Sequence, residues 1–281
     1  MGGEDRVRWE AREYCSKITE RRRDMLGTNP LKAKLRRGEV CLTAAFQFYS
    51  PAIVEFLGKC GLDAITFDSE HGSLDMSQIE DMARACEVAG VVPLCRVPAA
   101  RPEIILRTMD AGVMGVIAPH TKTKEDAEAL VSYVKYPPSG LRGCSMTARA
   151  PGYIGMGAEE YVSKANSETM VIAQVEDPEG VQNVQSIVKT EGLDCVLIGP
   201  NDLALSMGFA GRTDAPEVKE AVEKIVSATL GAGLTVMIGV DDRTGPQWIK
   251  RGVRLLSINF VPFMRRKWTE AITGLRAAKT S

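Results

Sequence analysis

The chain has 281 residues, 44% of them hydrophobic and 25% charged, with 35 basic against 36 acidic side chains and a formal net charge of −1. That balance belongs to a folded, soluble protein long enough for a sizeable core, in one large domain or two ordinary ones. It gives no long-range field to attract nucleic acid or an anionic membrane, so the expected partner is a small molecule.

Residues 1–38 are polar and helical in pattern and are expected to form an N-terminal helical extension ahead of a catalytic unit over 39–281. Such a segment would close a barrel floor, lie on a neighbouring subunit or be partly disordered. The opening MGGEDRVRWEAREYCSKITERRRDM is charged where a signal peptide needs an apolar run, and Arg6 makes Gly2 only a partial myristoylation signal. Seven cysteines, at 15, 41, 60, 86, 95, 144 and 195, form no CxxC pair, which suits a reducing, cytoplasmic setting. No apolar stretch approaches the roughly 20 residues that span a bilayer.

From residue 40 onward, short apolar runs alternate with longer amphipathic segments. The runs are VCLTAAFQF (40–48), AITF (64–67), VPLCRV (92–97), GVIAP (115–119), MVIAQVE (170–176), CVLIGP (195–200), TVMIGV (235–240) and RLLSINF (254–260), eight in all. Continuous Val- and Ile-rich runs predict strands buried on both faces of a parallel sheet. Between them, MSQIEDMARACEVAG, TKEDAEALVSYVK and PEVKEAVEKIVSATLGAG read as helices, several closing on a glycine. Eight βα units predict an α/β protein built as one (β/α)₈ TIM barrel. The alternative is an open doubly wound sheet, but no GxGxxG or GxxxxGK[ST] follows any run.

In such a barrel, function gathers at the C-terminal strand ends. Those ends read DSEH, CRVP, PHT, QVEDPEG, GPNDL and GVDD. Glu176 and Asp202 end adjacent strands as a pair of hard oxygen ligands suited to Mg²⁺ or Mn²⁺ with positions left open for substrate; otherwise they cap the helices that follow. Arg96 is a charge inside an apolar run, which calls for a partner or a polar cavity. An arginine there suits a developing oxyanion, or a salt bridge across the barrel interior. His71 is the candidate general base, with Asp68 or Glu70 to orient it, against a capping or surface role. His120 is a weaker candidate of the same kind.

The collinear series DSEH, CRVP, TMDAG, YPPSGLRG, QVEDPEG and GPNDL, from about residue 31 to 275, resembles the metal-dependent, class II pyruvate aldolases of the HpcH/HpaI family, 4-hydroxy-2-oxoheptanedioate aldolase-like. The resemblance implies a barrel of the phosphoenolpyruvate/pyruvate superfamily whose last helix is exchanged between subunits of a homo-oligomer, commonly a hexamer. It implies Glu176 and Asp202 as ligands of a divalent ion, Mg²⁺ first and Mn²⁺ or Co²⁺ as alternatives. Gln174, Gly199, Pro200 and Asn201 would line the site of a 2-oxo acid substrate. Arg96 would stabilise the enolate oxygen and His71 would move the proton, with Asp68 and Asp110 as acids near it, Asp110 arriving from another subunit. The implied reaction is reversible cleavage of a 4-hydroxy-2-oxo acid to pyruvate and an aldehyde.

Two departures bear on the substrate. The eighth strand end reads SINF where the family has a small-polar pair such as Ser-Asp, and His120 stands where simple aldolases carry an uncharged residue. The histidine is similar to one in macrophomate synthase, so an oxaloacetate decarboxylase or enolate-transferring enzyme, served by His120 and Tyr153 or Tyr161, is the alternative. A non-catalytic 2-oxo-acid-binding paralogue is a further reading, although Glu176, Asp202, Arg96 and His71 are all present.

Overall fold

The structure, a computed structural model, describes residues 28–153 and 156–278; the expectations for residues 1–27 lie outside them. Eight parallel strands pair in chain order and close on themselves: β1 (Cys41–Phe46), β2 (Ala64–Asp68), β3 (Val92–Arg96), β4 (Gly115–Ala118), β5 (Met170–Val175), β6 (Cys195–Ile198), β7 (Thr235–Val240) and β8 (Leu255–Asn259). The closed order rules out the open doubly wound sheet. The described helices are α1 (Pro30–Arg36), α2 (Pro51–Lys59), α3 (Met76–Ala89), α4 (Pro102–Asp110), α5 (Lys124–Val134), α6 (Ala158–Glu168), α7 (Pro178–Ile187), α8 (Pro200–Ser206), α9 (Pro216–Gly231), α10 (Gly245–Lys250) and α11 (Phe260–Ala277).

The local chemistry accounts for the boundaries. Asp75 and Thr123 open α3 and α5 with complete capping boxes, and Gly90 ends α3 at φ 74°, a left-handed cap that glycine adopts without strain. Strand alternation then sorts side chains between two cores. Outward-facing residues such as Ala44, Ile65, Val116, Val171 and Val196 pack beneath the helices. Inward-facing Cys41, Ala64, Val92, Leu94, Ile117, Ile172, Cys195, Met237 and Leu255 fill the barrel's lower interior. Each fully buried Leu, Ile, Val or Met contributes about 1.5–3 kcal/mol.

Leu31 of α1 belongs to that lower core, so the last turns before β1 plug the floor. Asn29 caps α1, and Lys32 pairs with Asp194 at 2.7 Å, fastening the plug to the barrel. At the other end of the chain, α11 behaves differently. None of its 18 residues is buried, and Trp268, Ile272 and Leu275 are exposed. Its first residue, Phe260, stacks edge-on with Phe48 beside Phe46 on the outer face of β1, and the helix then leaves the barrel wall. No described helix is long and apolar enough to cross a membrane.

Candidate active site

Above the apolar interior, the same inward-facing positions turn polar. Alternation along each strand brings Gln47, Asp68, Arg96, Gln174, Gly239, Ser257 and Asn259 to the mouth, around a cavity of about 1160 Å³ that continues outward between α9 and α10.

Asp68 and Arg96 are neighbours by register and form the best-ordered unit. Arg96 Nε donates to Asp68 Oδ1 at 2.9 Å and Nη2 to Oδ2 at 2.6 Å, while Nη1 lies 3.1 Å from Glu70 Oε2. Gln47 Nε2 and the backbone N–H groups of Glu70 and His71 also donate to Asp68. Burial raises the Asp68 pKa, but these donors, Arg96 foremost, outweigh it and hold the carboxyl below its ordinary value. Asp68 therefore stays ionised and serves as an anchor. Of the five guanidinium N–H groups of Arg96, two are hydrogen-bonded, both to Asp68, while Nη1 faces Glu70 as an ion pair without a hydrogen bond, so donors remain for a ligand.

Glu176 follows β5 and is 2% exposed. Its Oε1 accepts the His120 N–H at 2.9 Å and lies 3.2 Å from His120 Nδ1; its Oε2 accepts from Gln174 Nε2. Burial raises its pKa, and nearby Asp202 adds to the rise. Glu176 does not cap α7: Asp177 does, accepting the Gly180 N–H at 2.8 Å. Asp202 lies in the first turn of α8 and makes no cap, and it lines the cavity with Gly199, Pro200 and Asn201. Gly199 is needed for space, because a Cβ there would stand 2.8 Å from Glu176 Oε2.

The donor set suits a hard cation. Glu70, His120 and Glu176 each offer a ligand atom, all within 4.8 Å of one another, and Gln174 Oε1 is buried without a partner beside them. Two carboxylates and an orphaned amide oxygen are the chemistry a divalent ion satisfies.

Other expected members stand differently. His71 is at the mouth but half exposed; its Nε2 is 3.8 Å from Glu70 Oε2, and no carboxylate hydrogen-bonds its ring. Of the two carboxylates expected to orient His71, Asp68 makes no side-chain pair with it, its oxygens being taken by Arg96 and Gln47, and Glu70 is the nearer partner. Asp110 ends α4 at the opposite, floor end of its own barrel, where Arg142 Nη2 donates to it at 2.6 Å. One participant, Gln47, was not singled out from sequence. Gln47 was visible as the next inward position after Cys41, Thr43 and Ala45. Glu70, expected only as a possible partner of His71, instead turns its side chain back over Arg96 from a loop.

His120 occupies a left-handed backbone conformation, φ 55°, uncommon for a residue with a Cβ. That conformation turns both its N–H and its ring toward Glu176, so His120 belongs to the site. Tyr161 lies elsewhere, on the buried face of α6 against Tyr136, and Tyr153 is exposed on the loop before α6.

A family model described as HpcH/HpaI aldolase/citrate lyase matches residues 47–256. A 5-keto-4-deoxy-D-glucarate aldolase of Shigella boydii serotype 18 is 33% identical over 224 residues, covering 78% of this chain and 86% of the relative. Among solved structures, an HpcH/HpaI aldolase/citrate lyase family protein from Burkholderia cenocepacia J2315 superposes with a TM-score of 0.84 at 33% identity, over 89% of this chain and 100% of that one. Macrophomate synthase shares the fold, with a TM-score of 0.78 at 23% identity over 92% of this chain and 90% of its own. With the family model spanning most of the barrel and a relative one third identical across most of both chains, the chain belongs to the HpcH/HpaI aldolase/citrate lyase family and is an enzyme of the lyase class.

Proposed function

We propose that the chain is a divalent-metal-dependent pyruvate aldolase that cleaves a 4-hydroxy-2-oxo acid to pyruvate and an aldehyde, and runs the reverse addition. The observation that carries the reading is the arrangement at the mouth: the buried carboxylate Glu176 and its neighbour Asp202 on one side, and Arg96, locked by Asp68 with N–H groups left free, on the other. Glu176 and Asp202 would hold the cation, Mg²⁺ by preference with Mn²⁺ or Co²⁺ as substitutes, and it would supply Lewis-acid stabilisation of negative charge on the 2-oxo oxygen.

The chain's own residues account for the rest. Gly199 lets the substrate carboxylate approach the first turn of α8, whose early N–H groups at Asn201 and Asp202 are donors. In the cleavage direction His71 accepts the proton of the C4 hydroxyl, directly or through water. The C3–C4 bond breaks, its electron pair moves to C3, and the 2-oxo oxygen takes the negative charge facing Arg96. The aldehyde departs, and the enolate takes a proton at C3 to become pyruvate. Arg96 enters this sequence already oriented by Asp68, so little reorganisation accompanies charge development.

Asp110 lies at the floor end of its own barrel, and no residue of α11 is buried on its own chain, with Phe260 alone packed partly against the core. Both facts support a homo-oligomer in which α11 is exchanged and Asp110 reaches a neighbouring mouth. His120 favours a second reading, oxaloacetate decarboxylation through the same enolate, because a donor held 3.2 Å from Glu176 is placed beside the reacting centre.

The test is deuterium exchange at the methyl group of pyruvate in D₂O, followed by NMR with Mg²⁺ or Mn²⁺ and with EDTA. Exchange that requires the cation is expected. Exchange unaffected by EDTA, or none under any cation, would overturn the reading.

A further inference from the structure

We propose that a cavity at the barrel floor, between the starts of β3 and β4 and helix α6, is a second ligand site, built for a compact carboxylate with an apolar body. It lies at the opposite end of the barrel from the mouth and takes no part in the aldolase reading.

The cavity has a volume of about 300 Å³, at the small end of the range for ligand sites. Val91, Val92, Met109, Val113, Met114 and Ala165 give it a mostly apolar wall. Methionine adapts its shape to what it covers and makes favourable contacts with aromatic rings, so this wall suits a small apolar or aromatic body.

The floor of a (β/α)₈ barrel ordinarily serves stability, and an apolar gap there has no need of charge. Yet two guanidinium groups line this one, with the Arg142 side chain 1% exposed and that of Arg149 8%. Arg149 is accounted for. Its Nη1 donates to the Ala111 carbonyl at 3.0 Å and its Nη2 lies 2.6 Å from Glu87 Oε1, which pins the loop after α5 to the ends of α3 and α4. Arg142 is not accounted for in the same way. Its Nη2 donates to Asp110 Oδ1 at 2.6 Å and its Cζ lies 4.5 Å from the centroid of the Tyr136 ring, but its Nε is buried without a hydrogen-bond partner. A buried guanidinium donor left open is costly, and a carboxylate is the partner that satisfies it best. Asp110 is not in the cavity wall, so the acid that holds Nη2 does not occupy the volume a ligand would fill.

Tyr161 supplies a second donor. It is buried, lines the cavity and accepts from the Tyr136 hydroxyl at 3.4 Å, so its own O–H is left to donate. The charges of the wall favour a single anion. Lys164 joins the two arginines there, and its ion pair with Glu160, outside the wall, is exposed and 3.5 Å long. The carboxylates in the wall are Glu87 and Glu168. Both are already bonded: Glu87 to Arg149, and Glu168 to the Asn29 N–H at 2.7 Å and the Ser167 hydroxyl at 3.4 Å. Three cations therefore face two occupied carboxylates, and one further carboxylate balances the wall.

The experiment is NMR of isotope-labelled methionine methyl groups in the full chain, with EDTA present, titrated with two matched pairs of probes: phenylacetate against phenylacetamide, and hexanoate against hexanamide. Met109 and Met114 report the floor cavity, and Met237 reports the mouth. The acid of at least one pair is expected to shift Met109 and Met114 saturably and to bind roughly tenfold or more tightly than its amide. Arg142→Met should remove that preference, and Lys164→Glu, on the exposed side of α6, should weaken the acid severalfold. Asp202→Ala alters the mouth and should leave the floor titration as it is. Should Arg142→Met fail to fold, Lys164→Glu carries the test alone. The assignment is overturned if neither acid shifts Met109 or Met114, if only Met237 shifts, if acid and amide bind equally, or if the preference is unmoved in every folded floor variant.

Discussion

Replacing Gly199 with alanine tests how closely the carboxylate wall is built. The backbone there, φ −98° and ψ 78°, is open to alanine, so any effect is steric. The new Cβ would stand 2.8 Å from Glu176 Oε2, 3.0 Å from Glu176 Cβ and 3.2 Å from Gln174 Nε2. Carbon contacts are comfortable at about 3.5–4.0 Å, so Glu176 has to retreat by roughly 0.5–1 Å. It cannot do so freely, because Oε1 is tied to the His120 N–H at 2.9 Å. Overpacking of this kind costs about 1–3 kcal/mol in stability, and displacing a group at the reacting centre by an ångström costs on the order of a hundredfold in rate. Thermal unfolding should therefore show a fall of a few degrees, while Mn²⁺ titration calorimetry and pyruvate methyl exchange show much larger losses. Gly231→Ala is the control: it ends α9 with nothing within 4 Å of an added Cβ, and it should gain about 0.5–1 kcal/mol. A Gly199→Ala protein with metal affinity and exchange within twofold of wild type would refute the packing argument.

Arg96→Lys keeps the charge but loses the fork that grips Asp68, and exchange should fall by roughly a hundredfold or more while pyruvate binding survives; near-normal exchange would remove Arg96 from its role. Asp202→Ala should abolish cation binding in calorimetry, and retained affinity would point instead to the Glu70–His120–Glu176 cluster. Mixing inactive Asp110→Asn and His71→Ala chains should restore activity if Asp110 serves a neighbouring mouth, and mixtures as inactive as their parents would exclude it. Lys135 is buried, and burial followed by the nearby Lys32 pulls its pKa from 10.5 to about 8. Between those values the unfolded chain binds more protons, so this group's penalty, at most about 3 kcal/mol, is full below pH 8 and fades as pH rises to 10.5. The stability difference between Lys135→Met and wild type should change across that window in urea unfolding; a constant difference would show that Lys135 titrates normally.

The barrel was legible because parallel strands buried on both faces leave unbroken apolar runs, and because glycines such as Gly90 close the helices between them. The mouth was legible for a related reason: a charge such as Arg96 at the end of an apolar run has few places to go except a polar cavity. What escaped the sequence depends on side chains choosing among near-equal partners. Asp68 had His71, Arg96 and Gln47 within reach, and the bidentate fork prevailed. The left-handed turn at His120 has no marker, since a histidine gives no warning of positive φ.

If α11 is exchanged between subunits as proposed, its bare face gives this protein a dependence on its own concentration. A helix that carries Trp268, Ile272 and Leu275 in the open adds exposed apolar surface to a lone chain and removes it only on association. Folding and assembly then become linked equilibria. Dilution would fray the C-terminal end first, and because Asn259 joins that helix to the last strand, the loosening would be felt at the mouth before the barrel itself gives way.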